Sequence, residues 1–127
     1  MDIQKYKIMI TETVVTPMLD FMDEEGDCEY TKKDVHKCEE LLLQYLDLLG
    51  GITAPTDKEI LKYVKKLVLA LNKLNDKTEY SLIETDARES IWEIIQNSAI
   101  ECGLQNASED IFNRMEVLAT ASCLTKL

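Results

Sequence analysis

A single histidine, four cysteines and a crowd of carboxylates are the residues of this 127-residue chain that could do chemistry. Metal binding is the first test. On a helix, His36 and Cys38 would point about 200° apart, so they do not clasp one ion. His36 and Glu40 share a face but supply two ligands where a structural zinc takes four. Carboxylate-bridged di-iron bundles built on paired Glu-x-x-His motifs need a second histidine, which the chain lacks. His36 therefore reads as a solvated helix residue. The acids between Asp20 and Glu29 pose a calcium question, because Asp23, Glu25 and Asp27 alternate. An EF-hand loop needs glycine at its sixth position and glutamate at its twelfth. Counted from Asp23, those positions hold Cys28 and Asp34, and Gly26 arrives too early to make the hinge. Neither a metal nor any other cofactor is expected.

Nucleophilic catalysis has no better footing. The sequence contains no G-x-S-x-G, no Cys–His arrangement in a recognisable context and no glycine-rich phosphate loop. Cys28, Cys38, Cys102 and Cys123 form no C-x-x-C pair and read as small buried hydrophobes with reduced thiols, which places the chain in the cytoplasm. The expectation is a protein that is not an enzyme.

Charge says more. The formal net charge is −10, unevenly spread: −6 over residues 1–31, +2 over 32–77 and −6 over 78–127. Such a field governs encounter and partner choice and leaves fold undecided. Lys58, Lys62, Lys65, Lys66 and Lys73 gather in the middle, yet a nucleic acid would still meet a negative field overall, so these lysines read as the wetted face of a helix. The carboxylates expected to meet a partner are Asp20, Asp23, Glu24, Glu25 and Asp27, with Glu84, Asp86, Glu89 and Glu93 as a second patch. Trp92, just off the Ile91–Ile95 stripe, packs into the core on the first reading and anchors an interface on the second.

These residues must be positioned by helices. Thr56-Asp57-Lys58-Glu59 is a capping box behind Pro55, followed by Ile60, Val64, Leu67, Val68, Leu71 and Leu74 at helical spacing. A helix from Thr31 to Leu49 carries Val35, Cys38, Leu42, Tyr45 and Leu49, and Gly50-Gly51 is expected to close it through the left-handed conformation. Another begins around Asp86, with Asp86 and Glu89 as its capping pair, and ends at Gly103. A last one from about Ser108 would use Ile111, Met115, Leu118 and Ala119. Residues 3–16 contain strand formers, but no partner strand exists, so they read as helix until Pro17 kinks or breaks it, with Met18, Leu19, Phe21 and Met22 turning inward beyond. Tyr80-Ser81-Leu82-Ile83 fits an extended connector or a short turn. No apolar run reaches the 18 or so residues of a membrane span. The fold class is all-α: residues 1–127 form a single-domain bundle of four to five helices, large enough to bury a core without staples.

One stretch resembles known proteins. Ile83-Glu84-Thr85-Asp86-Ala87-Arg88-Glu89, then Ile91-Trp92-Glu93-Ile94-Ile95 and Glu101-Cys102-Gly103-Leu104, is similar to small, acidic, all-helical bacterial proteins of uncharacterised function. Those proteins often continue with a tryptophan-rich acidic ending, whereas this chain reads Ser108-Glu109-Asp110-Ile111-Phe112-Asn113-Arg114. The resemblance implies a bacterial helical domain and transfers no functional residue. Two functions follow from the residues themselves. The first is an acidic, non-enzymatic binding protein, immunity-like or antitoxin-like, that captures a basic protein partner. The second is a structural or self-associating helical protein whose charge serves solubility. It could be a monomer or a homodimer, with no nucleic-acid or membrane partner.

Overall fold

The computed structural model describes residues 2–26 and 28–105, and among these every regular element is helical. α1 spans Ile3–Ile10, a π-helical turn spans Thr11–Val15, and α2 spans Thr16–Glu25. α3 covers Lys32–Gly50, α4 covers Asp57–Lys77 and α5 covers Thr85–Cys102. The helix expected from Ser108 lies outside the described residues.

α3 and α4 form the central antiparallel pair, and both start as their capping residues dictate. Thr31 accepts from the Asp34 N–H at 3.3 Å, while the Asp34 carboxylate accepts from the Thr31 N–H at 3.0 Å. Each side chain thus satisfies a donor the helix leaves orphaned. At α4 only half of the expected capping box forms: the Thr56 hydroxyl accepts from Glu59 N–H at 3.2 Å, without the return bond to the Glu59 carboxylate. Every apolar residue assigned above to the α4 stripe is buried, from Ile60 to Leu74. Lys62, Lys65, Lys66 and Lys73 are exposed.

Pro17 does not interrupt the first helix. A residue with no N–H cannot donate to the carbonyl four back. Here the helix widens just ahead of it, and the Thr16 N–H donates to Thr11 O, five residues back. The run stays helical from Ile3 to Glu25 and turns Tyr6, Ile10, Val14, Val15 and Met18 onto the core. Gly26, at φ 68, then closes α2 by donating to Met22 O. Gly50-Gly51 works differently from the expectation, since Gly51 sits at φ −88 and needs no glycine on that account. Gly50 lies against α1: a Cβ there would stand 2.5 Å from the Ile3 Cδ1 atom, the flexible tip of a side chain that would have to turn aside.

Polar groups inside the bundle are spent on joining elements. The Tyr45 hydroxyl of α3 donates to Ile95 O at 3.1 Å and lies 3.1 Å from the Ser98 hydroxyl, both on α5. Tyr6 of α1 donates to the Glu101 carboxylate of α5, and burial together with that carboxylate raises its phenol well above the usual range. Asn75 holds the turn after α4, accepting from Ile83 N–H at 2.9 Å. Among the described residues no buried side-chain N or O lacks a partner.

Candidate protein-binding surface

The helix carrying the first acidic patch ends beside the turn that opens the second. Tyr30, in the link between α2 and α3, is buried and donates to Met18 O at 3.2 Å. Phe21 lies over the Tyr30 ring at 6.2 Å between centroids and 19° between planes. The inward course expected for Phe21 is wrong: it is 44% exposed. The reason is rotation of about 100° per residue, which puts Met18 and Met22 on the core side and Phe21 off it. Across from it stands the start of α5. Pro17, Phe21 and Tyr30 on one side and Leu82, Glu84 and Asp86 on the other line a groove of about 570 Å³.

Two of the sequence-assigned acids, Glu84 and Asp86, line this groove, and the others described lie along the two helices that flank it. Asp20, Asp23, Glu24 and Glu25 are exposed on α2, and Glu84, Asp86, Glu89 and Glu93 are exposed at and along α5. Asp27 lies outside the described residues. Among the described residues no cation comes within ion-pair distance of any of these eight carboxylates. Glu84 lies close enough to Tyr30 to be felt: burial, with Cys28 and Glu84 adding to it, pushes that phenol up to about 12. The capping pair expected at Asp86 and Glu89 is not what opens α5. Helix begins at Thr85, Glu84 is the cap residue, and its side chain makes no capping bond. Glu84 and Asp86 border the groove, while Glu89 and Glu93 are carried further along the helix. Trp92 is half-buried and packs against the core, away from the groove lining.

What residue-by-residue reading missed is the apolar floor between the two patches. Phe21 and Leu82 come from segments over sixty residues apart, brought together by the shared core and the Asn75-bound turn. Tyr30, an aromatic directly after the acidic run, was the signal in the sequence that the segment folds back on a core.

A second groove of about 850 Å³ runs between α3 and α4, floored by Leu41, Ala70 and Leu74. Lys33, Lys37, Lys73 and Lys77 edge it. Asp34 beneath them is bonded to Lys77 at 3.2 Å. Burial works to raise the Asp34 carboxyl, but the Thr31 N–H and the Lys77 ammonium outweigh it and hold the group below its ordinary value. His36 is exposed and its Nδ1 lies 3.7 Å from Glu39. No trio of His, Cys, Asp or Glu side chains able to hold a metal occurs among the described residues. The Cys38 thiol is fully buried, which pushes it up to about 12, a value at which almost no reactive thiolate forms at neutral pH. No described helix is long and apolar enough to cross a membrane.

The comparisons with known proteins add no homologue: no family model, no curated protein and no solved structure matches this chain.

Proposed function

We propose that this chain is a non-enzymatic binding protein, of the immunity-like or antitoxin-like kind, that captures a basic protein partner. One observation carries the reading: Phe21, exposed at the lip of an apolar groove, faces Glu84 and Asp86 across it and is flanked on α2 by Asp20 and Glu24, and among the described residues no ion pair engages these four carboxylates. Apolar contact at such a lip excludes water and gives a complex its lifetime. Negative charge around it attracts a lysine- or arginine-rich surface and raises the encounter rate. The whole chain, at −10, reinforces that field.

The test is capture from the native host, at low and at raised salt, by the wild type and by Asp20→Asn/Glu24→Gln/Glu84→Gln/Asp86→Asn. The reading expects a strongly basic protein that the wild type retains at low salt and that salt or the fourfold variant releases. Capture indifferent to both would end it.

A further inference from the structure

We infer that the lysine-edged groove between α3 and α4 receives helix α2 of a second copy, and that two copies close around a twofold axis. The two surfaces are opposite in charge and similar in length. α2 presents Pro17, Asp20, Phe21 and Glu24 at i, i+3, i+4 and i+7, one apolar and acidic helix face, and holds no basic residue. The groove offers an apolar floor of Leu41, Ala70 and Leu74 between lysines. Its length suits the helix: ten residues of α2 span about 15 Å, and Lys33 to Leu41 along α3 spans about 12 Å.

The groove's own acids are already engaged. Asp34 is paired with Lys77, Glu40 accepts from Gln44 at 3.1 Å, and Asp76 accepts from the Tyr80 hydroxyl at 2.7 Å. Lys33 and Lys73 have no carboxylate within 4 Å among the described residues, so they can meet the carboxylates of an incoming α2. Position supplies the symmetry. Both surfaces lie at the end of the bundle where α3 begins and α4 finishes: Tyr30 of one precedes Lys33 of the other in sequence, and Lys77 precedes Ser81. Adjacent patches of opposite character form a self-complementary surface, which is what a twofold interface requires. The axis also repeats the contact, and one helix in one groove would fall short of the roughly 1,000 Å² a lasting interface buries. Two copies at −10 repel one another, but in about 0.1 M salt that repulsion is damped beyond about 10 Å, leaving the local pairing to decide.

This dimer covers Asp20, Phe21 and Glu24, which the proposed basic partner also uses, so the two complexes compete for one surface; the dimer is tested on the purified chain alone, and its failure leaves the partner reading standing. Sedimentation equilibrium from about 1 to about 300 µM brackets an association in the range from micromolar upward. The wild type is expected to sediment as a dimer at the upper end. Lys33→Glu/Lys73→Glu and Asp20→Lys/Glu24→Lys should each remain monomeric, with circular dichroism verifying that each is folded. An equimolar mixture of the two should dimerise again, because every contact in the mixed pair regains opposite charges. Phe21→Ser should weaken the dimer at least about tenfold. A wild type monomeric throughout, variants that dimerise like it, or a mixture that restores nothing would each overturn the inference.

Discussion

Asn75 ties the turn that carries Leu82 and Glu84 to the end of α4. It is fully buried at the end of α4, and its amide oxygen is the partner of the Ile83 N–H. Asn75→Ala would strand that donor in the interior, at a cost of about 2 kcal/mol in urea unfolding. The variant should also weaken partner capture, because the turn it loosens carries Leu82 and Glu84 into the groove. Unchanged stability would show that the turn is held by something else. Asp34 gives a pH signature instead. Its folded value lies below the ordinary carboxyl range, so its contribution exists above the unfolded value, about 3.9, and vanishes as pH falls through the folded one. Asp34→Asn is therefore expected to be less stable than wild type at pH 7 and to converge on it as pH falls through the carboxyl's lowered folded value. The gap should stay under about 1 kcal/mol, because the Lys77 end of the pair stands mostly in water. A gap that persists undiminished at low pH would mean that charge is not its source.

At the level of elements, the turn between α4 and α5 is where the backbone is least at ease. Glu79 sits at φ 56 and Tyr80 at φ 63, in the left-handed region where a Cβ crowds the following carbonyl. Glu79→Gly should relieve about 1 kcal/mol of that crowding and lose part of it to a freer unfolded chain. A net gain of about 0.5 kcal/mol is expected in the same unfolding measurement. A loss would show that the Glu79 side chain contributes contacts of its own. This turn also marks how far the sequence was legible. α3 and α4 could be read because each states its start with a threonine cap and its inner face with aliphatics at helical spacing. α5 announced its inner face through Ile91, Ile94 and Ile95 but not its start, since Asp86 and Glu89 imitate a capping pair inside the first turns. Pro17 was visible as a difficulty, but its remedy was not. A π turn depends on where Val14, Val15 and Met18 must point, and that is settled by the helices they pack against. The acids were legible singly because exposure of carboxylates is nearly assured. The groove between them was not, because it is made by contacts between distant segments.

For the whole molecule, the question is what the lopsided charge accomplishes, and kinetics can answer it. Carboxylates around the groove and the net −10 act through space before contact, so they should govern how often a basic partner arrives. Phe21 acts only after contact, when its exposed ring is desolvated, so it should govern how long the partner stays. The two contributions can be separated on a sensor surface bearing the captured partner. The fourfold variant Asp20→Asn/Glu24→Gln/Glu84→Gln/Asp86→Asn is expected to associate about tenfold or more slowly at low salt, with a smaller change in dissociation. Phe21→Ala should associate at close to the wild-type rate and dissociate about tenfold or more rapidly. Raising salt should slow the wild type toward the variant's association rate, since screening and neutralisation remove the same long-range attraction. If neutralising the four acids altered only dissociation, the charge would be serving local contacts, and steering would not be the reason this exterior is so acidic.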